Sequence, residues 1–88
     1  MAERDAGPLT FSQHALDAIE ERKMDIDWIL RTIEAPDWTA EDLKPGRTRY
    51  FRGIPEFGNR ILRVVCFEDR HERRIITIFF DRNARRPR

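Results

Sequence analysis

The hydrophobic period of this chain changes once, near residue 46, and that change constrains the fold more than any other feature. Before it, apolar residues recur at helical spacing. After it, they crowd into short runs bounded by glycine, proline and polar turns. Ala15, Ala18 and Ile19 line one side of a first helix, while Asp17, Glu20 and Glu21 fall on the outer side. Ser12 is a natural N-cap for that helix, and Lys23-Met24 ends it. Asp25 caps a second helix, in which Ile26, Ile29, Leu30 and Ile33 stand at i, i+3, i+4 and i+7. Pro36 stops it, because the residue before a proline avoids the α region. Residues 36–46 read as a connector.

Three strands follow, at Arg47–Arg52, Arg60–Glu68 and Arg74–Asp81, separated by a loop at 53–59 and a polar turn at 69–73. A short strand at Pro8–Thr10 also fits. The expected architecture is α+β, with two N-terminal helices packed on a small antiparallel β-sheet of three to four strands. Val64-Val65-Cys66-Phe67 and Ile75 to Phe80 are apolar on both sides. Such strands are either central in the sheet or meet another surface, such as a second chain.

With 88 residues the chain makes one domain, and a chain of that size buries roughly 60–65% of its unfolded surface. The single Cys66 excludes an internal disulfide and any multi-cysteine zinc site, which fits a reducing cytoplasm. No apolar run approaches the roughly 20 residues of a membrane-spanning helix. The polar start Met1-Ala2-Glu3-Arg4-Asp5 does not read as a signal peptide.

Charge follows the change of period. Residues 1–44 carry five Lys and Arg against eleven Asp and Glu, a net of −6, and residues 45–88 carry twelve against five, a net of +7. All twelve cations of the second half are arginine. Arginine presents a planar fork that pairs bidentately with phosphate, so the split points to a nucleic acid or an oppositely charged partner.

Three blocks carry a resemblance. The first is Phe11-Ser12-Gln13-His14-Ala15, then Glu21-Arg22, then the Trp28-Ile29-Leu30 helix ending in Glu34-Ala35-Pro36-Asp37-Trp38. The second is Gly46-Arg47-Thr48-Arg49-Tyr50-Phe51 with the strand that starts at Arg60. The third is Ile75-Ile76-Thr77-Ile78-Phe79-Phe80-Asp81-Arg82. In this order and spacing they resemble the small bacterial proteins grouped as domain of unknown function 4258, a family thought to share the fold of RelE-type toxins and barnase-like ribonucleases. The resemblance spans about residues 9–85, which it implies are a single RelE-like α+β domain, with 1–8 and 83–88 as flexible ends. It implies RNA chemistry, with an antitoxin-like protein as a further partner, and no cofactor or metal is expected. Two other readings stay open: a non-catalytic module on the same fold that binds RNA or a protein, and a homodimer in which the acidic helical side meets the basic sheet of a second copy. One departure stands out. A glycine commonly follows the family's Glu-Arg pair, and here Lys23 occupies that place.

Metal-independent RNA cleavage needs a base for the 2′-hydroxyl, an acid for the leaving oxygen and cations around a phosphorane-like transition state. His14, in a first helical turn, is the general acid/base candidate; the alternative is a histidine that packs near a helix start. Arg22 follows two helical turns later, as a phosphate ligand or as the ion-pair partner of Glu21, Asp25 or a strand carboxylate. Arg82 stands at the C-terminal end of the last strand, where RelE-type enzymes place catalytic arginine. No tyrosine follows it. Arg47 and Arg49 share one face of a strand by its period of two and suit a backbone-tracking stripe or a solvated face. Tyr50 points the other way, to stack a base or fill the core. Arg85 and Arg86 belong to a basic tail that adds non-specific affinity or is merely solvated. His71 reads as a turn residue, Cys66 as a buried inert thiol, and Trp28 and Trp38 as packing residues.

Overall fold

Ser12 joins the sheet to the first helix. Its backbone N–H donates to the Ile75 carbonyl at 2.9 Å and its hydroxyl donates to the Ile76 carbonyl at 2.9 Å, while Oγ accepts the Ala15 N–H at 3.0 Å. One residue thus ends a strand and caps a helix. The computed structural model describes residues 8–87. Its elements in chain order are β1 (Leu9–Phe11), α1 (Gln13–Arg22), α2 (Ile26–Glu34), β2 (Trp38–Glu41), β3 (Arg47–Ile54), a 3-10 turn (Pro55–Phe57), β4 (Arg60–Glu68) and β5 (Arg73–Phe80). Of the expected flexible ends, residues 1–7 and 88 lie outside the described residues.

The sheet corrects the expected one. It has five strands in the order β1-β5-β4-β3-β2, and it is mixed. The β1 strand runs parallel to β5, with Leu9, Thr10 and Phe11 opposite Arg73, Arg74 and Ile75, while the other pairs are antiparallel. The chain enters through β1 beside β5, crosses over through both helices and returns through four antiparallel strands, β2 to β5. Part of the connector read at 36–46 is strand β2, whose Trp38 and Glu41 stand opposite Phe51 and Thr48. The α+β class stands.

Both helices cover one face of the sheet. Ala15, Met24, Ile29 and Ile33 pack there against Ile54, Leu62, Val64, Cys66, Ile75 and Ile78, with Ile19, Trp28, Tyr50 and Phe80 at the margin. The buried Thr32 hydroxyl is satisfied by donating to the Trp28 carbonyl at 2.8 Å. A register shift at Val65/Cys66 lets Ile75 and Ile78, three residues apart, both reach this core. Phe51 and Val65 are also buried, yet lie outside that cluster. They belong to the opposite face, where Trp38 stacks on Phe51 at 4.7 Å and Arg63 lies over Phe79 at 4.9 Å. β4 and β5 are therefore apolar on both faces because side chains of the same sheet cover the face that the helices leave. Among the described residues no helix is long and apolar enough to cross a membrane.

Candidate functional site

Two grooves meet at Arg22. The first, of about 300 Å³, is walled by Arg22, Arg60 and Arg82 over a floor of Phe57, Ile61 and Phe80, with Asp81 at its edge. The second, of about 310 Å³, runs between α1 and β5; His14, Asp17, Glu21 and Arg22 line one side and Thr77 to Phe79 the other.

Each arginine of the first groove stands at the end of an element. Arg22 closes α1, which exits through Lys23 in the left-handed region at φ 54°; the Met24 N–H then donates to the Ile19 carbonyl at 3.0 Å. Arg60 opens β4 directly after Gly58 and Asn59, both left-handed at φ 66° and 59°. Asn59 N–H donates to the Ile54 carbonyl at 2.9 Å, which closes the loop. Arg82 leaves β5 at a turn that Asp81 holds. The Asp81 N–H donates to the Ile61 carbonyl, and its carboxylate accepts from Arg63 at 3.1 Å and from the Asn83 N–H at 2.9 Å.

The floor is aromatic. Phe57 lies 5.4 Å from Trp28 and 4.9 Å from Phe80, ring centre to ring centre. The turn that carries Phe57 is clamped to α2, where both terminal nitrogens of Arg31 donate to the two oxygens of Glu56 at 2.9 Å. That fork holds the Glu56 carboxyl down at about 2, below its ordinary 4.5.

The arginines of this groove make no ion pair among the described residues, although Asp81 lies at its edge. Among the described residues, ion pairs engage Arg31, Arg49, Arg52, Arg63, Arg73, Arg74 and Arg86, and none engages Arg22, Arg60 or Arg82. The Arg22 pairing with Glu21, Asp25 or a strand carboxylate does not form among them. Three unpaired forks over an apolar floor suit an anion that carries flat apolar groups. The second groove differs, because Asp17 and Glu21 stand in it beside His14. His14 is exposed in the first turn of α1, and its backbone lies eight residues from Arg22, about 12 Å along the axis at the helical rise.

The structure therefore joins His14 to Arg22 in one groove and Arg22 to Arg82 in the other. It does not bring Arg47 and Arg49 to them. Arg47 stands opposite Phe67 and Arg49 opposite Val65, on the helix-free face. Phe67 is six residues along β4 from Ile61, about 20 Å at the strand rise. Arg49 also donates to Asp42 at 2.8 Å. Tyr50 faces the helices, packs at the core margin and donates its hydroxyl to Glu68 at 2.8 Å; burial and that carboxylate raise its pKa. Arg86 crosses back to Asp37 at 3.3 Å and lies 5.8 Å from the Trp38 ring, while Arg85 donates to the neighbouring Ala84 carbonyl at 3.4 Å. Cys66 is fully buried, and its thiol is pushed up to about 11. His71 is exposed in the turn that the Asp69 carboxylate holds. Among the described residues no group of three His, Cys, Asp or Glu side chains converges to hold a metal. Arg60 is the site residue that sequence reasoning missed. It heads a strand like any other charged end residue, and only the fold puts it beside Arg22 and Arg82.

The family model of a domain of unknown function, DUF4258, matches residues 11–80. No curated protein and no solved structure matches the chain.

Proposed function

Because the chain belongs to the DUF4258 family, whose description names no activity, we propose a function from its own site: the protein binds RNA in the groove of Arg22, Arg60 and Arg82. The observation that carries this is the set of three arginines without a carboxylate partner among the described residues, over an aromatic floor. Guanidinium forks match phosphate oxygens in geometry as well as charge. Phe57 and Phe80 favour a ligand that carries rings between its phosphates over an acidic peptide. Asp17, Glu20 and Glu21 on α1 would repel a phosphate backbone, so RNA enters from the arginine side.

A second reading adds cleavage of the kind catalysed by RelE-type toxins, the comparison that the order of the sequence blocks suggested. The 2′-hydroxyl attacks the adjacent phosphorus and its proton passes to His14. The bond to the 5′-oxygen breaks, that oxygen takes a proton from water, and the ends left are a 2′,3′-cyclic phosphate and a 5′-hydroxyl. Arg22 and Arg82 would hold the charge of the phosphorane. What favours this reading is that His14 and Arg22 line one groove.

Incubating the purified protein with structured RNA separates the two. Cleavage by the wild type and retention without cleavage by His14→Ala would support the nuclease. Retention at low salt without cleavage by the wild type would leave a binding module and remove the enzyme. No retention would remove both.

A further inference from the structure

Phe57 is an apolar ring left 40% exposed. An exposed ring on a loose loop needs no explanation. This one is held: Pro55 starts its turn, the Arg31–Glu56 fork ties the turn to α2, and the ring lies tilted against Trp28 and Phe80. The Arg60 guanidinium lies over the same ring, 4.9 Å from its centre. Arg60 makes no ion pair among the described residues, so no carboxylate among them sets that position. The ring supplies the attraction. Trp28, Phe57 and Arg60 thus follow one another in contact, and Arg60 lines the groove with Arg22 and Arg82.

We propose that Arg60 on Phe57 is a stacking platform for one unpaired base, and that Arg22 and Arg82 take the phosphates flanking it. The inference rests on the RNA-binding reading above and narrows it to single strands. Bases in a duplex are stacked on each other and cannot reach a side-chain platform, whereas unstacked bases lie on aromatic rings and arginine planes. A groove of about 300 Å³ is at the small end of ligand sites, which suits one nucleotide rather than a helix. Stacking tolerates any base, so the platform selects single-strandedness and not sequence.

The test compares two labelled oligomers of equal length, a single-stranded hexaribonucleotide and the same backbone with abasic spacers, by fluorescence anisotropy. The wild type should bind the base-bearing oligomer tighter by about 5- to 150-fold, the usual range for one stacked base. Arg60→Lys keeps the charge and loses the plane, and Phe57→Leu keeps an apolar floor and loses the ring. Both should bring the base-bearing oligomer down to near the same variant's own abasic level, so that the preference for bases is lost. Equal binding of the two oligomers by the wild type would overturn the platform while RNA binding stands, as would full preference retained in Arg60→Lys. Failure of both oligomers to bind would overturn the RNA-binding reading, and the platform with it.

Discussion

Lys23 is the residue whose conformation goes most against its chemistry. It sits at φ 54° and ψ 46°, where a side chain crowds its own carbonyl and glycine does not. Lys23→Gly should therefore raise unfolding stability by about 1 kcal/mol, read as a higher denaturant midpoint at an unchanged slope. A lower midpoint would mean that the lysine side chain contributes more than its backbone costs. This position was legible in the sequence, because the turn after Glu21-Arg22 had to be made without the glycine common in similar chains. Gly46 shows the opposite case. It is left-handed at φ 79°, and a Cβ there would stand 2.9 Å from the Phe67 ring. Arg60 was not legible, since its role depends on neighbours 38 and 22 residues away in the chain, Arg22 and Arg82.

At the scale of elements, the helices were readable and the sheet was not fully so. Ser12 and Asp25 cap α1 and α2 through local hydrogen bonds to Ala15 and Asp27, and such bonds follow from residue type and position alone. β1 pairs with a strand more than sixty residues later, which no local pattern encodes. β2 is four residues long, and the sequence Trp38-Thr39-Ala40-Glu41 shows no strong alternation in a connector between prolines. The register shift in β5 puts Ile75 and Ile78 on one face, so strict alternation misreads that strand. The turn that carries Phe57 makes its own prediction. Glu56 has its carboxyl held at about 2 when folded against an ordinary 4.5. A depressed carboxyl contributes stability above its unfolded value, and loses it as pH falls from about 4.5 towards 2. The difference in thermal midpoint between wild type and Glu56→Gln should thus shrink across that window. A difference that stays constant from pH 7 to pH 2 would show that the Arg31 fork does not set this turn.

Over the whole molecule, the two halves of the chain do not keep their charge apart. The acidic first half supplies the helices, and the arginine-rich second half supplies most of the sheet. Yet the proposed site takes Arg22 from the acidic half and Arg60 and Arg82 from the basic one. Most of the remaining sheet arginines are spent on carboxylates, as in Arg49 with Asp42, Arg63 with Asp81 and Arg73 with Glu68. Net charge by segment therefore locates the basic surface only coarsely; what marks this groove is that three arginines without an ion pair among the described residues line it together. The most direct measurement is the salt dependence of single-stranded RNA binding by the wild type and by an Arg22→Ala/Arg60→Ala/Arg82→Ala variant. Two phosphate contacts, at Arg22 and Arg82, predict a slope of log affinity against log salt of about −1.4 for the wild type, and a slope near zero for the variant. Equal slopes in the two proteins would contradict the assignment of this groove as the RNA site.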